Sequence, residues 1–288
     1  MSSRADIARR ALAAALRVRQ QAGIGVGSPL CPFDLAEHMG VDVWFSDIAS
    51  LEGMHVEAEQ PLLLVGSGRP AGRQAFTCAH ELGHRHFRHG TRVDQLLSDG
   101  KPGSRFDPEE FAADAFGGFL LMPKSAVMRG FVSRRWRPEQ CAPEQAYVVA
   151  SWLGVSYEAL ITHLAWSLRL LARAEAERLL RTRLADIRGT IVGQGVPGHL
   201  VVADRQWFGR AVDVCVGDHI LAPAGSLIPD GLVEHMGEHA SGSLLRASRP
   251  GIGRVISADG RWSTFLRVMR AGYVGRATYR HLEDPDCD

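Results

Sequence analysis

The pentapeptide His80-Glu81-Leu82-Gly83-His84 constrains this 288-residue chain more than any other segment. It lies in a Pro-free stretch, Gln74 to His89, whose composition predicts a helix despite Gly83. Side chains four apart on a helix are separated by about 40° around the axis and by one turn along it. Both imidazoles can therefore reach one ion from one face. Two histidines on a core helix are costly to bury without partners, and a shared metal supplies one. Zinc binds neutral imidazole at about 2.0–2.1 Å and keeps a fourth position open for water in catalytic sites. Glu81, next to the first ligand, can reach that water without ligating the metal. A fold that uses this helix must bring a third ligand from elsewhere.

Asp107-Pro108-Glu109-Glu110 starts a second helix, with Asp107 as N-cap, Pro108 in the first helical position and two early acids. The helix is expected to run to about Leu121 and to stop before Pro123. Glu109 reads as an acid that favours the helix N-terminus. Glu110 reads as the third ligand, because Asp114 follows one turn later on the same face. There it can accept a hydrogen bond from a ligating imidazole, as metal-bound histidines commonly require.

The remaining chain falls into contrasting parts. Residues 4 to 20 and 33 to 39 have helical composition, the second ended by Gly40. Val41 to Phe45 and Pro61 to Val65 read as strands, and 66 to 72 as a connection. Thr91 to Asp107 is a polar, Gly-rich loop. Residues 124 to 183 are mainly helical, with helices 143–153 and 157–171 joined around Gly154-Val155-Ser156. Beyond Arg183, short β-rich runs appear at 190–192, 200–203, 212–216 and 265–268. A net charge of +1 argues against direct nucleic-acid binding. Five scattered cysteines, without a CxxC pair, fit a reducing compartment. No segment is apolar enough for a signal core or a membrane span, so the expected location is the cytoplasm.

Other reactive residues carry weaker readings. His86 and His89 do not have ligand spacing from His84, and they read as solvent-facing or as supports for the ligands. Cys78 reads as a buried thiol. Tyr147 and His163 are donors that could stabilise an oxyanion, though ordinary packing explains both. Arg134, Arg135 and Arg137 around Trp136 read as a solvated helix end.

Phe76-Thr77-Cys78-Ala79-His80-Glu81-Leu82-Gly83-His84, then Glu110-Phe111-Ala112-Ala113-Asp114-Ala115-Phe116, then Leu120-Leu121-Met122-Pro123 resemble the ImmA/IrrE family of bacterial metallopeptidases. The strand near Val41, Gly53 and the strand before Arg73-Gln74 look like that family's small sheet. Trp152 to Leu160 is similar to its helix-turn-helix-like segment. The resemblance covers about residues 35 to 175. Gly117 and Gly118 stand where alanines are usual, and Asp114 where Asn is more common. The resemblance implies an α+β chain with a zincin-like peptidase domain (1–125), a helical, helix-turn-helix-like segment packed on it (126–185) and a β-rich C-terminal domain (186–288). By analogy with IrrE-type members, the last part is sensory. It further implies a Zn2+ endopeptidase with His80, His84 and Glu110 as ligands, Glu81 as general base and Asp114 in support. The implied protein substrate is a helix-turn-helix repressor of a stress, phage or mobile-element response. The rival readings are a DNA-binding or ligand-sensing regulator whose zinc is structural.

Overall fold

The structure is a computed structural model that describes residues 3–95, 106–207, 210–229 and 231–282. Along the chain it contains α1 (Arg4–Gln21), α2 (Pro32–His38), β1 (Asp42–Ser46), β2 (Leu51–Val56), β3 (Leu62–Gly66), α3 (Ala71–Phe87), β4 (Arg92–Gln95), α4 (Pro108–Leu121) and α5 (Lys124–Val132). Then come α6 (Pro143–Leu153), α7 (Tyr157–Thr162), α8 (Arg173–Leu180) and α9 (Leu184–Val192). The β-rich remainder holds β5 (Leu200–Val202), β6 (Val212–Cys215), β7 (His219–Ala222), β8 (Val233–His239), β9 (Gly242–Ala247), β10 (Gly251–Ile256), β11 (Ser263–Met269) and β12 (Gly275–Arg276). The fold is α+β with a β-rich C-terminal part, as the sequence leads one to expect. Most of the 91–107 loop expected from the sequence lies outside the described residues.

Two compact units divide the chain. The first comprises residues 1–129, 153–156 and 272–278. Its sheet has the order β12-β1-β3-β2-β4. β1 and β3 are parallel, and the other neighbours are antiparallel. The two-residue strand β12, from far along the chain, closes one edge, and Arg276 pairs with Asp42 across it at 2.5 Å. α3 packs on β2 and β3 by one face and on α4 by another. Phe45, Leu63, Val65, Leu82, Phe116, Leu120 and Leu121 fill the core between these layers. Each such side chain contributes roughly 1.5–3 kcal/mol by leaving water.

α1 is an alanine-rich helix opened by a Ser3–Asp6 capping box, and its buried face is Ile7, Ala11, Ala14, Ala15 and Val18. These small side chains let it lie close on α4. Arg19, the last of that face, is 0% exposed. Its guanidinium donates to the carbonyls of Leu120 at 2.6 Å and Gly25 at 2.8 Å, and also to that of Ser28. It thereby satisfies a carbonyl of the last turn of α4 that has no partner within the helix.

The second unit comprises residues 130–152, 157–271 and 279–288. It holds a three-stranded sheet, β10-β11-β6, and a four-stranded sheet, β5-β7-β9-β8. α6 and the segment Tyr157–Ser167 are bent by 104° across a three-residue break, which is helix-turn-helix geometry. The second of these helices ends in a π-turn, His163–Ser167, rather than running on to Leu171. One strand expected from the sequence is corrected. Thr190–Val192 is the last turn of α9, closed by Gly193 at φ 86°, and the Thr190 hydroxyl donates to the carbonyl of Asp186. A β-branched run yields there to the helix that precedes it and to its left-handed glycine cap. Among the described residues no single helix is long and apolar enough to cross a membrane.

Candidate metal centre

α3 and α4 converge on one point. Nε2 of His80 and Nε2 of His84 lie 2.9 Å apart, and Oε2 of Glu110 is 3.5 Å from each. The three donors form a group that could hold a metal ion. Tetrahedral zinc with ligands at about 2.0–2.1 Å needs donor–donor edges of roughly 3.3 Å, so this spacing fits. Two neutral imidazoles and one carboxylate are also a donor set that zinc accepts, with one position left over. Hydrogen bonding to His80, then to His84, holds the Glu110 carboxyl far below the usual carboxylate range. The carboxylate is therefore an anion beside two imidazoles, a set that a cation in place of the shared protons would complete.

Sequence places these residues on helices, and close packing brings the helices together. A Cβ on Gly117 would stand 3.1 Å from the backbone nitrogen of His80, and one on Gly83 3.0 Å from Cα of Ala113. Each helix thus presents a bare backbone to the other at the crossing. Gly117, one of the two departures from the family pattern, stands at this contact. The approach puts Asp114 Oδ1 2.9 Å from Nδ1 of His80, where it accepts the proton of the nitrogen turned away from the metal group. α4 itself starts as its sequence predicts, with the Asp107 carboxylate accepting from the amides of Glu109 and Glu110.

Glu81 is 0% exposed. Its carboxylate lies between α3 and β2, beside Gly53, where the pairing of β2 with β4 shifts register. Next along the same strand face is His55, 1% exposed, whose pKa burial lowers. Its neutral ring donates from Nδ1 to the carbonyl of Gly90 at 3.2 Å. Sequence reasoning missed His55, since one histidine in a short strand carries no spacing signal. It also missed the buried Glu52, which forms ion pairs with Arg69 and Arg73 at 3.0 Å each and accepts a hydrogen bond from Nε of Arg73.

The weaker candidates have their own places. His86 stacks on Phe116, with centroids 5.4 Å apart. His89 Nδ1 lies 3.0 Å from Nδ1 of His84. Cys78 is buried. Tyr147 donates its hydroxyl to the carbonyl of Leu200, and His163 is buried in the π-turn. Arg134 is not a solvated charge: it grips Asp204 at 2.6 and 2.9 Å and lies over the Trp152 ring.

Comparison with curated proteins gives no match. Residues 36–164, which contain β1 to β4, both metal-site helices, α6 and α7, match the model of the IrrE N-terminal-like domain, a peptidase family. This part of the chain is thus similar to that family, which supports a metallopeptidase-type function for it.

Proposed function

We propose that this protein is a zinc-dependent endopeptidase of the cytoplasm that cuts a helix-turn-helix transcriptional repressor in a stress, phage or mobile-element response. The observation that carries the reading is the convergence of His80 and His84 of α3 with Glu110 of α4 within 3.5 Å, with the fully buried Glu81 on the same helix as the two histidines. His80, His84 and Glu110 would hold the ion, and Asp114 orients His80. Bound there, zinc supplies Lewis acidity that polarises a scissile carbonyl and acidifies water. Glu81 takes the proton of the attacking water and delivers it to the leaving amine. A base confined against β2 loses few alternative positions when substrate enters, which favours proton transfer.

The rival, a DNA-binding regulator with a structural zinc, draws support from the 104° helix pair. The exposed positions of its second helix and π-turn are Glu158, Thr162, Trp166 and Ser167, none of them a cation for phosphate. A structural zinc site also fills four positions with protein ligands, and among the described residues three converge here. The test is co-expression of candidate helix-turn-helix repressors from the same genome with wild type and with Glu81→Gln, with fragments read by mass spectrometry. Cleavage at a few bonds by wild type alone is expected. Broad digestion of unrelated proteins, with the repressors intact, overturns the substrate.

A further inference from the structure

His80 and His84 both turn Nε2 towards Glu110, so both must be deprotonated at that nitrogen to bind a metal. Each then carries its proton on Nδ1, and each Nδ1–H needs an acceptor that fixes the ring. Asp114 serves His80 at 2.9 Å. For His84 the partner is an imidazole: Nδ1 of His89, 3.0 Å away. His84 is 0% exposed, so no solvent substitutes for that acceptor.

The chain reaches this position by a specific backbone device. α3 ends at Phe87, Arg88 takes the left-handed conformation at φ 57°, and Gly90 follows at φ 73°. This reversal brings His89 back onto the last turn of the helix, where its ring stacks with Phe87 at 5.6 Å between centroids. The buried His55 of β2 fastens the far side of the same turn through the Gly90 carbonyl. Two interactions thus hold one short segment against His84.

We infer that His89 is a positioning residue for the metal centre, accepting the Nδ1 proton of His84 and so fixing the tautomer that offers Nε2. The inference rests on His84 being a metal ligand. His89 carries its own proton on Nε2, and it acts only through His84.

Three variants separate hydrogen bonding from packing, read by competition of the purified full-length protein with a chromophoric zinc chelator. His89→Phe keeps an aromatic ring against Phe87 and removes the acceptor. His89→Ala removes both. His89→Asn restores an acceptor oxygen close to the place of Nδ1. Loss of an outer partner typically costs about 10–100-fold in metal affinity, and that loss is expected for Phe and Ala, with most of it regained by Asn. In the zinc-loaded wild type, ring 15N shifts should show His84 protonated at Nδ1 and His89 unprotonated at Nδ1. Wild-type affinity in His89→Phe, or Asn no better than Phe, overturns the role of His89. A wild-type protein that binds no zinc instead overturns the site on which the inference rests.

Discussion

A Cβ on Gly53 would stand 2.5 Å from Oε1 of Glu81 and 2.5 Å from Cγ2 of Thr77. The absence of a side chain in β2 is therefore what leaves room for the carboxylate on α3. Adding one methyl group must move Glu81, Thr77 or the strand, because a Cβ does not tolerate such contacts. Gly53→Ala is expected to lower kcat on the repressor about 100-fold, the scale of a 1 Å misplacement of a reacting group. Zinc content should remain that of wild type, since no ligand is touched. Unchanged turnover in a fully metallated Gly53→Ala protein would show that the carboxylate has no fixed post.

Glu81→Gln separates the base from the ligands. The amide is nearly isosteric but accepts no proton, so zinc should stay at about one ion per chain while turnover falls about 10²–10⁴-fold. Cleavage at the wild-type rate would remove Glu81 from the mechanism.

The ligands should behave differently. His80→Ala and His84→Ala are expected to lose most of the zinc on elemental analysis. Glu110→Gln should weaken binding by removing the one anionic donor. Asp114→Ala should cost about 10–100-fold in affinity or activity. Full zinc retention in both histidine variants would be incompatible with the site.

Arg19 links α1, the 25–28 turn and the end of α4 through three carbonyl groups. Burial lowers its pKa to about 10, yet it remains charged near neutrality. Arg19→Met keeps the apolar stem and strands these acceptors, which should cost about 3 kcal/mol or more. The measurement is denaturant unfolding of the metal-free protein. A loss below about 1 kcal/mol would mean that water reaches the carbonyls.

The parts of this site that were legible in sequence are those encoded by local spacing. His80 and His84 are one turn apart, and so are Glu110 and Asp114, so helix geometry alone puts each pair on one face. Contacts that depend on how elements meet left no such trace. Arg19 looks like its exposed neighbours Arg9, Arg10 and Arg17, and only the packing of α1 on α4 distinguishes it. His89 reaches His84 because Arg88 adopts a left-handed conformation that arginine seldom takes. Gly275–Arg276 is too short to register as a strand until β1 is beside it. Thr190–Val192 illustrates the reverse error, in which local β preference is overruled by the helix begun at Leu184.

Acid stability depends on a histidine of the second unit. His281 is buried, and its ring faces Arg280, Arg267 and Asp213. Burial pushes its pKa down to about 4 from an ordinary 6.5; Arg280 and Arg267 add to the effect and Asp213 partly opposes it. Above the unfolded value, both states leave the ring neutral and no penalty arises. As pH falls from about 6.5 towards about 4, the unfolded chain takes up a proton that the folded chain refuses, so stability is lost across that window. The full difference corresponds to about 3 kcal/mol, complete only below the folded value. Denaturant unfolding in the presence of chelator, at about pH 7 and about pH 4, should show a larger drop for wild type than for His281→Gln. An NMR titration reads the same ring directly. Half-protonation near 6.5 in the folded protein, with equal pH sensitivity of the two proteins, would show that His281 is solvated and contributes nothing to acid unfolding.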